Sequence, residues 1–162
     1  MSFENLGLNE TLTRALTAAG YTEPTSVQAD AIPAALAGRD LMVSSRTGSG
    51  KTASFMLPAL TLVLKAREQG RIERAAAPKP AAPVPAEAPR DPRDQRFERP
   101  RRFEAPRGPR VLVLCPTREL AMQVSKAAMD YGRYVPGLSV ATIVGGVPYP
   151  AQLKALRGPL DI

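Results

Sequence analysis

The segment Ser45-Arg46-Thr47-Gly48-Ser49-Gly50-Lys51-Thr52 sets small residues beside a lysine and a hydroxyl at a spacing suited to a polyphosphate. A main chain that wraps a phosphate with its N–H groups inward needs positive φ and close approach, which Gly48 and Gly50 permit. Lys51 supplies a mobile charge for the outer phosphates and Thr52 a hydroxyl ligand for Mg2+, while a helix starting here turns its positive end toward the anion. The general pattern has glycine where Ser45 stands, and a Gly/Ser loop carrying a lysine by chance is the competing reading. The flanks favour the phosphate loop. An apolar, β-leaning run (Asp40–Ser44) precedes it and a helical pattern from Lys51 to Leu64 follows, the strand, loop, helix order that the motif requires.

The elements that must hold this loop alternate along the chain. Leu12, Ala15, Leu16 and Ala19 recur at helical spacing between the cap candidate Asn9 and the stop Gly20. A second helix is predicted over Ser26–Ala37, after Thr25 and before Gly38. The helix that follows the loop should reach about Arg67 and bend at Pro58. Val111–Cys115 is a continuous apolar run of the kind buried on both faces of a parallel sheet. Thr117 then caps a helix running to about Tyr134. Ser139–Val144 reads as a third strand closed by Gly145-Gly146, and a short helix from Pro150 to about Arg157 leads to Leu160-Asp161-Ile162, the start of a fourth. This alternation predicts an α/β fold, a parallel sheet flanked by helices.

Composition narrows the chemistry. With 162 residues, 44% of them hydrophobic, the chain can bury the core of one domain and is too short for two large ones. No apolar run approaches the roughly 20 residues of a membrane span. The start, Met1 to Asn5, lacks the features of a signal peptide, so the expected compartment is the cytoplasm. The single cysteine, Cys115, ends an apolar run and reads as a small core hydrophobe; one cysteine makes neither a disulfide nor a zinc site. The chain has no histidine, which leaves carboxylates, lysine, hydroxyls, backbone amides or an oxygen-held metal for any catalysis.

The net charge is +7, but twelve Lys/Arg against seven Asp/Glu fall between Ala66 and Arg110, so only +2 remains for the rest and global charge says little about nucleic acid. From about Ala75 to Pro109, prolines recur among Ala, Arg and Asp, a composition that predicts a disordered, partly polyproline-like insertion. It reads as a solvated spacer. The alternative is an RNA tether, because Arg90, Arg93, Arg96, Arg99, Arg101 and Arg102 are interleaved with Phe97 and Phe103.

Four signals in one order resemble the first half of the N-terminal RecA-like domain of DEAD-box ATP-dependent RNA helicases. Gly20-Tyr21-Thr22-Glu23-Pro24-Thr25-Ser26-Val27-Gln28, with Phe3 upstream, is similar to the family's adenine-recognising Q motif. The phosphate loop takes the family's own form, with Ser45 a mild departure from its usual small residue. Pro116-Thr117-Arg118-Glu119-Leu120-Ala121, with Gln123 beyond, is similar to motif Ia, and Gly145-Gly146 to the glycine doublet. The resemblance implies a helical Q-motif region over residues 1–39 and a partial RecA-like ATP-binding domain over 40–162, interrupted by the insertion at about 75–109.

It also implies roles. ATP would contact Tyr21, Glu23, Gln28, Thr47, Gly48, Ser49, Gly50, Lys51 and Thr52, with Lys51 and Thr52 the catalytic groups of this chain and Thr52 on Mg2+. The amide of Gln28 offers a donor and an acceptor side by side, as the adenine edge requires. Thr25-Ser26-Val27-Gln28 equally spells a helix capping box in which the glutamine bonds the Thr25 amide. Tyr21 would stack on the base, with Phe3 packed behind it; plain hydrophobic packing is the alternative for both. Pro116, Thr117, Arg118, Gly145 and Gly146 would meet RNA phosphates, without reading sequence. For Thr117 the alternative is an N-cap alone, for Arg118 a surface ion pair, for the glycines a turn.

The family's Asp-Glu-Ala-Asp, Thr-Pro-Gly-Arg and Ser-Ala-Thr motifs, and its second RecA-like domain, do not occur in the sequence. The expectation is therefore a monomeric helicase fragment that binds ATP and RNA yet neither hydrolyses nor unwinds alone. The rival readings are a non-catalytic nucleotide- or RNA-binding module and an unrelated P-loop kinase.

Overall fold

Asn9 begins the first helix by accepting the Thr11 N–H at 2.9 Å on its side-chain oxygen, and α1 runs over Glu10–Ala18. A computed structural model describes residues 2–76 and 108–162 of the protein. A 3-10 turn (Phe3–Leu6) precedes α1, and Thr25 caps α2 (Ser26–Leu36). The loop after α2 leads into α3 (Lys51–Ala76), followed by α4 (Arg118–Tyr131) and α5 (Tyr149–Leu156). The segment read from sequence as a spacer or RNA tether lies for the most part outside the described residues.

Two boundaries differ from expectation for local reasons. α3 runs beyond Arg67 through Glu68, Gln69, Arg71 and Glu73, good helix formers that tolerate Gly70, with an Arg71–Glu68 pair at 2.6 Å along the way. α4 stops at Tyr131, not Tyr134: Gly132 caps it, donating its N–H to the Ala128 carbonyl, and the chain then turns on bonds from Val135 N–H to Gly132 O (2.8 Å) and Leu138 N–H to Val135 O (3.3 Å).

α3 is the central element. One of its faces joins Ala53 and Leu57 to Phe3, Leu6, Leu16 and Ile32. Another joins Met56 and Leu60 to Leu12, Val124, Ala128 and Val135. Tyr131 packs against both clusters. Arg14 adds a link across the surface, its guanidinium 4.3 Å from the centre of the Tyr134 ring.

The predicted parallel sheet, and with it the RecA-like α/β assignment, is corrected: no β-strand forms among the described residues, and their regular structure is helical. Residues 110–111, 139–141 and 160–162 do meet. Asp161 O accepts from both Arg110 N–H (3.0 Å) and Val111 N–H (2.9 Å), while Ser139 O accepts from Asp161 N–H (3.0 Å) and Ile162 N–H (3.2 Å). Ala141 N–H returns a bond to Ile162 O (3.0 Å), so one reciprocal pair joins 139–141 to 160–162, but the exchange is not repeated along the chains as a ladder requires. Segment 40–44 shares no backbone hydrogen bond with these segments among the described residues. The apolar run at 111–115 is also covered on one side only. Val113 and Cys115 pack on the second cluster, whereas Leu112 and Leu114 are 76% and 84% exposed. Apolar composition signalled burial, but it could not supply a neighbouring chain for the backbone groups.

In place of a ladder, a carboxylate ties these segments together. Asp161, 2% exposed, accepts from Arg67 Nε (3.2 Å) and Nη2 (2.5 Å), Arg110 Nη1 (3.1 Å) and Ser139 N–H (3.0 Å). Arg67 also donates to the carbonyls of Pro136 and Gly137. The bonds from Arg67 and Arg110 to a buried carboxylate are charge-assisted and stronger than neutral ones.

Candidate functional site

The loop between Ser44 and α3 turns on two left-handed glycines, Gly48 (φ 78°) and Gly50 (φ 88°), as the phosphate-loop spelling requires. Ser45, the departure from the general pattern, contributes its hydroxyl: Ser45 Oγ and Ser49 Oγ lie 2.5 Å apart across the loop. The Lys51 ammonium folds back over the loop's first turn and donates to the carbonyls of Ser45 (2.5 Å) and Arg46 (2.6 Å). Thr47 and Gly48 are exposed at the tip, and Thr52 is half-buried in the first turn of α3. Lysine charge, hydroxyl and helix N-terminus therefore share one end of α3.

Gln28 realises the capping box, its Oε1 accepting the Thr25 N–H at 3.0 Å while Thr25 Oγ1 accepts the Gln28 N–H at 3.4 Å. The same two side chains also grip the loop. Gln28 Nε2 donates to Gly50 O at 3.2 Å, and the Thr25 hydroxyl donates to Ser49 O at 2.9 Å. These contacts explain Gly50 twice over, since a Cβ there would run into the Gln28 amide and stand 3.2 Å from Thr25 Oγ1. Sequence reasoning missed this link, because nothing in either motif reports on a partner 22 residues away.

Tyr21, 43% exposed, meets Tyr131 edge to face, with ring centres 5.9 Å apart at 68°. Burial raises the Tyr131 phenol well above its ordinary pKa, and the adjacent Tyr21 hydroxyl and Asp130 carboxylate push the same way, so it stays neutral. Glu23 is exposed beside Pro24, and Phe3 is buried in the first cluster.

A second cluster forms at the start of α4. Thr117 Oγ1 accepts the Leu120 N–H at 3.2 Å, so Thr117 is an N-cap, and it follows Pro116, also exposed. Replacing it by alanine should lower stability by about 1 kcal/mol, read as a shift in the urea midpoint. Arg118 is exposed, and its Nη1 lies 3.5 Å from where a Cβ on Gly146 would stand. Gly146 has φ 78°, and Gly145 is exposed beside it. The structure thus brings Arg118 and the glycine doublet together across the chain. Gln152, which sequence reasoning did not single out, holds the doublet from α5.

The loop at residues 45–52 is thus docked on the capped glutamine of α2, and Arg118 stands exposed behind the Thr117 cap of α4. Residues 25–162 match the DEAD/DEAH box helicase family, and the chain belongs to it. The ATP-dependent RNA helicase SrmB of Escherichia coli (strain K12) is 40% identical over 161 residues, covering 99% of this chain and 28% of that protein. The ATP-dependent RNA helicase DeaD of Klebsiella pneumoniae is 36% identical over 159 residues, covering 98% and 19%. The crystal structure of the RNA helicase Prp28 from Chaetomium thermophilum, bound to ADP, superposes with a TM-score of 0.65 at 33% identity, over 96% of this chain and 30% of that one. A DEAD box protein from Methanococcus jannaschii gives a TM-score of 0.67 at 28% identity, over 99% and 33%. The chain spans less than a third of the length of each and 33% of the Methanococcus protein.

Proposed function

We propose that this chain binds ATP through the loop at residues 45–52 and single-stranded RNA through residues 116–118 and 145–146, and that the full-length helicase couples ATP hydrolysis to local unwinding of RNA duplexes. The observation that carries the reading is the pair of bonds from Gln28 and Thr25 to the loop carbonyls of Gly50 and Ser49. They hold Gln28, 4% exposed, against the end of the loop that precedes Lys51. Gln28 keeps a second amide hydrogen and a second oxygen lone pair beyond the two bonds it makes, which suits the N7 and N6 edge of adenine and disfavours guanine.

In this assignment residues 1–39 recognise the base, with Tyr21 against its face and Glu23 at the rim, and residues 40–162 hold phosphates and RNA. The backbone N–H groups of Thr47, Gly48, Ser49 and Gly50 wrap the phosphates. Lys51 exchanges its loop carbonyls for phosphate oxygens. Among the described residues no group of three or more His, Cys, Asp or Glu side chains is placed to hold a metal. The Thr52 hydroxyl fits Mg2+, which accepts few protein ligands beside phosphate oxygens and water. Mg2+ would supply charge neutralisation at the phosphates. Arg118 and the glycine turn meet phosphodiester oxygens and carry no base information, which fits sequence-independent RNA binding.

No described helix is long and apolar enough to cross a membrane. We place the protein in the cytoplasm, acting as a monomer.

A fluorescent ATP analogue titrated into the purified chain tests the reading, with GTP as competitor. Saturable binding should resist GTP. Lys51→Ala should weaken it about tenfold through loss of a charge-assisted bond, and Gln28→Ala should erase the preference for adenine. Equal competition by GTP and ATP against the unaltered chain would overturn it.

A further inference from the structure

The Gly145-Gly146 turn is held by a side chain from outside it. Gln152, in the middle of α5, accepts the Val144 N–H on Oε1 at 2.9 Å and donates from Nε2 to Val144 O at 3.1 Å and to Val147 O at 3.0 Å. One primary amide therefore stands in for a neighbouring peptide group. It pairs both backbone groups of Val144 and closes the turn onto Val147, so the residues on both sides of the doublet are fixed to α5. This places the backbone of Gly146 against Arg118, whose Nη1 is 3.5 Å from the position of an added Cβ. Gln152 is half-buried and touches neither Arg118 nor the nucleotide loop through any hydrogen bond among the described residues.

We infer that Gln152 is a positioning residue for RNA binding: by clamping the Gly145-Gly146 turn it holds the turn's backbone and the Arg118 guanidinium together as a single seat for one phosphate of a single-stranded RNA. This rests on the reading of residues 116–118 and 145–146 as RNA contacts. An arginine free to swing engages a phosphate with a larger entropic cost than one packed beside a fixed turn. The two residues should therefore act as a unit, and their removals should not add.

The test measures the affinity of the chain for an oligouridine single strand over a salt series, for the unaltered protein, Arg118→Ala, Gln152→Ala and the double variant. Binding of the fluorescent ATP analogue and thermal melting are recorded beside it. Gln152→Ala is expected to weaken RNA binding about fivefold and to lower the salt slope by about one phosphate contact, as Arg118→Ala does. The double variant should be no weaker than Arg118→Ala alone, and ATP-analogue affinity should stay unchanged. Gln152→Met keeps the side-chain length without its hydrogen bonds and carries the same expectation should the alanine variant fail to fold. Gln152→Glu, which keeps the acceptor for Val144 N–H but faces two carbonyls with an oxygen, should bind RNA no better than Gln152→Ala. If Arg118→Ala binds RNA like the unaltered chain, the RNA reading of this cluster falls and the inference with it. If Arg118→Ala weakens binding while the Gln152 variants do not, or do so additively and with an unchanged salt slope, the RNA reading stands and the positioning role is overturned.

Discussion

Gly50→Ala should reduce affinity for the ATP analogue by about 100-fold, more than loss of the Lys51 ammonium, although it removes no group that touches the nucleotide. Gly50 has φ 88°, where a Cβ costs about 1–2 kcal/mol of backbone strain. The added methyl would also run into the Gln28 amide and press on Thr25 Oγ1 at 3.2 Å. Relief requires either the loop or the start of α2 to move. Either movement breaks the bonds from Gln28 Nε2 to Gly50 O and from Thr25 Oγ1 to Ser49 O, each worth about 1 kcal/mol net. Binding must return the loop to this geometry against the strain and the clash, and at about 3 kcal/mol for the two, with about 1.4 kcal/mol per tenfold, the affinity falls by about two orders of magnitude. Gly48→Ala is the control. It bears similar strain at φ 78°, but its Cβ meets nothing within 4 Å, so its loss should be several times smaller. Equal losses in the two variants would mean that contact with α2 contributes nothing to the nucleotide site.

Asp161→Ala should be the most destabilising single change outside the two clusters, by about 3 kcal/mol. The carboxylate is 2% exposed and accepts from Arg67, Arg110 and the Ser139 amide. Its removal strands the Ser139 N–H and leaves two guanidinium groups without their counter-charge, and breaking a buried pair costs about 3–5 kcal/mol. The arginine side chains are 29% and 33% exposed, so water recovers part of their solvation and the lower end of that range applies. Asp161→Asn retains the shape and one acceptor and should lose about half as much. Urea unfolding checks both: the midpoint should fall while the slope holds. A loss below about 0.5 kcal/mol for the alanine variant would show that the three extended segments hold together without the carboxylate.

Legibility followed the range of the interaction. Asn9, Thr25 and Thr117 were readable as caps because a cap bonds an amide two or three residues away. The positive φ of Gly48 and Gly50 was readable from the loop's spelling. The capping and adenine readings of Gln28 looked like alternatives on paper; the structure shows the capping bond and adds a third partner, Gly50, that neither reading contained. Val111–Cys115 misled because an apolar run reports a preference for burial and says nothing about which side a neighbour will cover. The result was one buried face, with Leu112 and Leu114 left outside.

By itself, then, the sequence determined the starts of α1 to α4, the phosphate-loop spelling and the family, since each depends on residue type over a few adjacent positions. Tertiary structure alone decided that Gln28 and Thr25 grip the loop, that Arg118 lies against Gly146, that Gln152 clamps the glycine turn, and that Asp161 gathers Arg67, Arg110 and Ser139. Several of these contacts join residues tens of positions apart, and which donor reaches which acceptor is fixed only once the helices have packed around α3.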